Sequence, residues 1–125
     1  MKNFVFEGEV VKGGDKADEF FGMPTANIYL AAEKIPNGVY ASMAELEGKM
    51  YKGVTFIGIA ELADGKPLRC ETHLFDYQGP DFYGKRLTVT LKKKIRGYLP
   101  FATTEQAITQ VNRDKVQALE YFNKK

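Results

Sequence analysis

Residues 4–11 alternate, with Phe4, Phe6, Gly8 and Val10 on one side of an extended chain and Val5, Glu7, Glu9 and Val11 on the other. That period of two predicts a strand. Residues 24–30 return to extended structure, and strands follow over 39–46 and 50–59. Over 68–77, Leu68, Cys70, Thr72 and Leu74 oppose Arg69, Glu71, His73 and Phe75. A long strand over 85–96 sets Leu87, Val89, Leu91 and Ile95 on one face, and Lys93 interrupts that row, predicting a bulge or strand end beside it. Ile35-Pro36-Asn37-Gly38, Glu47-Gly48-Lys49 and Ala63-Asp64-Gly65-Lys66-Pro67 carry turn chemistry. Gly53 and Gly58, inside a strand, predict bulges or close backbone approach.

The period changes only at the end of the chain. Thr103 fits an N-cap with Gln106 three residues on, a capping box. Ala107, Ile108, Val111, Ala118, Leu119 and Phe122 then share about a third of a helical wheel. Lys115 falls in the same arc, so its ammonium must reach outward past its neighbours. Short strands followed by one amphipathic helix predict an all-β fold class: a small antiparallel barrel plugged or flanked by a C-terminal helix.

Composition narrows the setting. A chain of 125 residues, 44% hydrophobic and 27% charged, fits a single globular domain over 1–125. No apolar run approaches a membrane span, and the N-terminus turns acidic too early for a leader peptide. The single Cys70 cannot close an internal disulfide and reads as a small buried hydrophobe. With the single His73 it cannot make a zinc site, since the two point to opposite faces of a strand. The expected location is the cytoplasm, and the expected state a monomer. Lys92-Lys93-Lys94 reads as a solvated strand end, and a net charge of +2 gives no case for nucleic acid or membrane partners.

Candidate chemistry gathers in two places. In Gly22-Met23-Pro24-Thr25-Ala26-Asn27, Pro24 biases Met23 to extended backbone, so Thr25 and Asn27 point the same way. Their two neutral oxygens suit a turn cap or the shell of a hydrated Mg²⁺ held mostly by phosphates. The preceding loop, Gly13-Gly14-Asp15-Lys16, offers backbone N–H groups and one cation to an anion. Glu71 sits mid-strand on a face too polar for plain core, as a paired surface glutamate or a base. His73, on the same face, reads as a hydrogen-bonded structural histidine.

The succession Gly8-Glu9-Val10-Val11-Lys12-Gly13, Gly22-Met23-Pro24-Thr25-Ala26-Asn27, Gly38-Val39-Tyr40-Ala41, Glu71-Thr72-His73, Asp81-Phe82-Tyr83-Gly84-Lys85 and Ile95-Arg96 resembles riboflavin kinase of the bacterial and eukaryotic type. The resemblance runs from Phe4 to Phe122. It implies a six-stranded Greek-key β-barrel with a C-terminal helix, and transfer of the ATP γ-phosphate to the terminal ribityl hydroxyl of riboflavin, giving FMN and ADP. It also implies Glu71 as catalytic base, Thr25 and Asn27 on Mg²⁺, and Gly13, Lys16, Pro24, Thr25 and Asn27 around the nucleotide. Flavin contacts are implied around Arg96 and the start of the helix; Tyr83, Tyr98 and Phe101 suit the walls of a flat apolar flavin slot or plain barrel-end packing. Two departures stand out: Asp18-Glu19 beside the proposed triphosphate, and Tyr98 where an acidic residue is common. They keep a second expectation open, a flavin- or nucleotide-binding barrel without turnover. The first expectation is a stand-alone kinase domain, with no room for an adenylyltransferase domain in front.

Overall fold

The computed structural model describes residues 4–11, 26–30, 36–57, 68–77, 82–97 and 102–123. They form six strands and one helix: β1 (Val5–Glu9), β2 (Ala26–Leu30), β3 (Gly38–Leu46), β4 (Lys49–Ile57), β5 (Leu68–Leu74), β6 (Arg86–Arg96) and α1 (Thr104–Asn123). The strands make one sheet in the order β1-β6-β3-β4-β5-β2, antiparallel at every pairing. A mostly antiparallel β fold with one C-terminal helix is what the periodicity predicts. The sheet curls until its outermost strands approach: a Cβ on Gly8 of β1 would lie 2.6 Å from Ile28 Cγ2 of β2.

The curl gives the sheet two apolar faces. On its concave side Phe6, Ile28, Tyr40, Leu46, Leu87 and Val89 form one buried cluster. On its convex side Val39, Ala41, Val54, Phe56 and Phe75 pack against Val111 and Ala118 of α1. The alternation in β3 sorts Tyr40 and Ala44 inward and Val39 and Ala41 outward, so both halves of its period are buried. Between β3 and β4 the chain reverses through Glu47 and Gly48, both at positive φ (51° and 81°), the geometry of a two-residue hairpin turn.

Polar groups inside are matched to one another. Thr55 Oγ1 donates to Ser42 Oγ at 2.8 Å and lies 2.8 Å from Thr72 Oγ1. All three residues are fully buried, and a chain of hydroxyls satisfies itself without water. Gly53 faces this chain with no side chain because there is no room for one: its Cβ would lie 2.7 Å from the carbonyl oxygen of His73. The close approach expected of Gly53 is therefore real. Gly58, the 63–67 turn and the 13–21 loop lie outside the described residues.

Two expectations change. The pairing of β6 with β3 steps from Leu91 to Lys93 and from Lys94 to Arg96, leaving Lys92 and Ile95 as bulged residues. The interruption expected at Lys93 is thus a bulge one residue earlier; it reverses the facing of Lys93 and Lys94, and the second bulge at Ile95 restores it for Arg96. Ile95 joins the convex cluster with α1 rather than the row of Leu87, Val89 and Leu91. On α1, Thr103 Oγ1 accepts from Gln106 N–H at 3.1 Å, as the cap requires, while Gln106 Oε1 accepts from Ala102 N–H, one residue before the cap. The buried stripe is Ala107, Val111, Asp114 and Ala118, and Leu119 is 40% exposed. An acid occupies a position in the apolar stripe that the wheel assigned elsewhere.

Gly53→Ala tests the close packing. A methyl group driven against a backbone carbonyl forces strand movement, at about 1–3 kcal/mol. Urea unfolding should show that loss with the transition still cooperative.

Candidate active site

One line of residues crosses the convex face. Asn27 of β2 pairs with Glu71 of β5, Glu71 with Phe56 of β4, Phe56 with Val39 of β3, and Val39 with Arg96 of β6. Neighbouring strands lie about 4.8 Å apart, so Arg96 stands roughly 14 Å from Glu71 and Asn27 stands beside it. Residues in direct register share a face, so Glu71 and Arg96 bracket the two apolar side chains on which α1 packs. Far apart in sequence, three of the expected site positions thus fall into one row.

Glu71 is 1% exposed. This corrects the expectation of a partly solvated strand glutamate. Phe56 and Phe75 on the same face are buried as well, so the polar residue beside them is enclosed rather than solvated. His73 pairs with Val54 in the register and sets its ring edge-on to Phe75, centroids 5.4 Å apart. It is half-buried.

Arg96 is held from the helix. Its Nε donates to both carboxylate oxygens of Asp114, at 2.9 and 3.1 Å, and its Nη2 donates to Oδ2 at 2.8 Å. Asp114 is fully buried, and the Arg96 side chain is 14% exposed. Gln110 donates to Asp114 Oδ1 at 3.0 Å from one helical turn earlier. Arg96 Nη1 donates in the other direction, to the carbonyl of Gly97 at 3.1 Å. Asp114 is absent from the site residues that the sequence suggests. Its signal was there: an acid spaced three and four residues from Val111 and Ala118, in a chain whose last strand ends on arginine.

Tyr83 lies elsewhere. It precedes β6 while Arg96 ends it, and eleven extended residues span roughly 35 Å before curl is counted. Its turn is tied to the end of β1: Gly84 N–H donates to Val10 O and Val10 N–H to Lys85 O, both at 2.8 Å. Tyr83 is 39% exposed and meets Phe82 edge-on at 5.8 Å. Phe82 in turn touches Tyr77, and Tyr77 touches Tyr51. Tyr83 therefore flanks the strand that feeds the Gly13 loop, not the Arg96 end of the sheet. Gly13, Lys16, Pro24, Thr25, Tyr98 and Phe101 fall outside the described residues, and Asn27 is placed by its backbone alone. Among the described residues no three His, Cys, Asp or Glu side chains gather to hold a metal.

The family model described as "Flavokinase: Riboflavin kinase" matches residues 1–122. This chain belongs to the riboflavin kinase family. The bifunctional riboflavin kinase/FMN adenylyltransferase of Escherichia coli K12 is 37% identical over 121 residues, covering 95% of this chain and 38% of that protein. The Bacillus subtilis protein of the same description is 34% identical over 119 residues, covering 91% of this chain and 37% of its own length. The chain thus spans well under half of these relatives. A solved structure titled as a macrolide-efflux protein of Streptococcus pneumoniae superposes with a TM-score of 0.69 at 28% identity, over 88% of this chain and 34% of that one. Within this family, the row from Asn27 to Arg96 is where a buried carboxylate meets positions implied for metal and flavin.

Cys70 adjoins Glu71 but points to the concave core, with Sγ 3.8 Å from Thr72 Oγ1. Burial pushes its thiol pKa up, and the Thr72 contact only partly offsets this. A raised pKa leaves little thiolate at neutral pH, and thiolate is the reactive form. Iodoacetamide at pH 8 should leave the native chain unlabelled and label it fully in urea; equal labelling would show that the β5 core opens readily.

Proposed function

We propose that this chain transfers the γ-phosphate of ATP to the terminal ribityl hydroxyl of riboflavin, giving FMN and ADP. The observation that carries the reading is the direct register of buried Glu71 with Asn27, in a chain of this family. In that reaction the Glu71 carboxylate orients the attacking hydroxyl and accepts its proton as the new O–P bond forms and the bond to ADP breaks. A carboxylate enclosed by protein keeps one orientation, and enclosure strengthens its pull on the hydroxyl proton.

Gly13, Lys16, Pro24, Thr25 and Asn27 take the nucleotide. Thr25 and Asn27 are neutral oxygen donors, and such a pair fits a Mg²⁺ that brings its own phosphates and water. When bound, the metal offsets charge on the phosphates. The flavin falls to the Arg96 end, with Tyr98 and Phe101. Tyr83 is not carried into the flavin set, because its turn is tied to β1 at the far end of β6. We read the curled sheet as the six-stranded Greek-key barrel of the family, residues 1–125 as one kinase domain, and the protein as a cytoplasmic monomer. The test is incubation with riboflavin, ATP and Mg²⁺ and chromatography for FMN. Riboflavin and ATP binding with no FMN formed would favour the binding barrel without turnover.

Three variants probe the roles. Glu71→Gln keeps size and removes the base, so turnover should fall ~10²–10⁴-fold with riboflavin fluorescence titration unchanged. Because the group removed is a buried charge at a site tuned for chemistry, the melting temperature should hold or rise. A fall in melting temperature together with turnover would make Glu71 structural. Asn27→Ala and Thr25→Ala should raise the Mg²⁺ concentration needed for half-maximal turnover while leaving riboflavin affinity alone. If the Mg²⁺ dependence does not move, the residue is a turn cap.

A further inference from the structure

We propose that Asp114, supported by Gln110, is the residue that positions Arg96 at the flavin end of the site, without touching substrate itself. This rests on the riboflavin kinase reading above and adds to it a helix residue that neither the motifs nor the expected site set contains.

The geometry goes beyond what a fold staple needs. Three hydrogen bonds between 2.8 and 3.1 Å lock one edge of the guanidinium to one carboxylate. That fixes the plane of the group as well as its place. Nη1 is left directed at the carbonyl of Gly97, the first residue of the connection from β6 to α1. Burial is unequal: Asp114 is fully enclosed, while Arg96 keeps 14% of its side chain exposed. The pair therefore opens to solvent through the arginine, on the side of that connection.

Energetics point the same way. Burying an ion pair costs desolvation, and a well-packed apolar pair holds a helix at least as well. The stripe of Ala107, Val111 and Ala118 already anchors α1, yet an acid interrupts it. A charge kept at such a position is explained when its partner has a task that needs one fixed orientation. Arg96 stands in the register row that carries Glu71, three strands away. With its charge balanced by Asp114, it is suited to hydrogen-bond the neutral, carbonyl-bearing ring of a flavin rather than to capture a phosphate. Gln110 holds Asp114 Oδ1 from the turn before, so the orientation has a second support.

The experiment uses the whole chain, with riboflavin and ADP titrations, steady-state kinetics and thermal melts for Asp114→Asn, Gln110→Ala, Arg96→Ala and the Arg96→Ala/Asp114→Asn double variant. Asp114→Asn should raise the riboflavin KM about tenfold, the effect of one lost charge-assisted hydrogen bond, with the ATP KM within about twofold. Gln110→Ala, which leaves the ion pair intact, should move riboflavin KM the same way by less. In the Arg96→Ala background Asp114→Asn should have no further effect on riboflavin affinity, since its influence passes through Arg96. Additive losses, or equal losses for riboflavin and ADP that track the melting temperature, would reduce the pair to a helix anchor. Failure of the wild-type chain to form FMN would instead overturn the kinase reading, and the riboflavin titrations would still report on Asp114.

Discussion

The middle of the sheet is buried on both faces, and that constraint governs how the described polar groups of the site are accommodated. Strands β3 and β4 carry apolar side chains inward to the concave core and outward to α1, so neither face has access to bulk water at its centre. A polar side chain there must find protein partners. The concave side solves this with neutral hydroxyls, the run from Ser42 through Thr55 to Thr72. The convex side holds the charges, Glu71 on β5 and the Arg96–Asp114 pair between β6 and α1. Among the described buried residues, charge is thus kept to one layer, the convex one.

The same constraint explains the division of labour along α1. Ala107, Val111 and Ala118 are small enough to bring the helix close to β3 and β4. A close helix buries whatever else lies on that stripe, and Asp114 lies on it. The acid is tolerated because Arg96 arrives from the strand end at bonding distance, brought there by the bulges at Lys92 and Ile95. Together they leave Arg96 on the convex face but shift the pairing by two residues, so that it stands opposite Val39 rather than beyond the start of β3. A feature of strand pairing therefore fixes the position of a charge pair three elements away from Glu71.

Much of this was legible in the residues. Period-two alternation located the strands, and the Thr103 cap located the helix to within a residue, because both signals are local. The convex row was not legible, since Asn27, Glu71, Phe56, Val39 and Arg96 become neighbours only through register, and register depends on pairing across the whole sheet. The burial of Glu71 was misread for a related reason. Alternation says that a strand has two faces, but not that the second face is covered by another layer. Ile95 and Leu119 went astray through small phase shifts, one from a bulge and one from helix rotation, each enough to move a side chain to another surface. Asp114 escaped notice because one acid in an apolar stripe reads as noise until the partner arginine is placed. The family resemblance supplied roles for Glu71 and Arg96 but had no role for the acid that holds the arginine.

The topology also orders the approach of two ligands. The chain leaves β1 at the end where the Tyr83 turn is tied to Val10, and it re-enters at β2, the opposite edge of the sheet, with Asn27 opposite Glu71. The connection from β6 to α1 starts at the other end of the sheet, beside Gly38, whose missing Cβ would lie 2.6 Å from the Arg96 carbonyl oxygen. On the proposed reading, the nucleotide segment therefore starts from the Tyr83 end of β1 and the flavin segment from the Arg96 end of β6, and Glu71 lies in the row of Arg96. Such an arrangement lets each substrate be held by its own segment. On that reading the reacting atoms meet beside paired strands. Burial of the sheet centre on both faces means that Glu71 and Arg96 are surrounded by protein rather than by solvent.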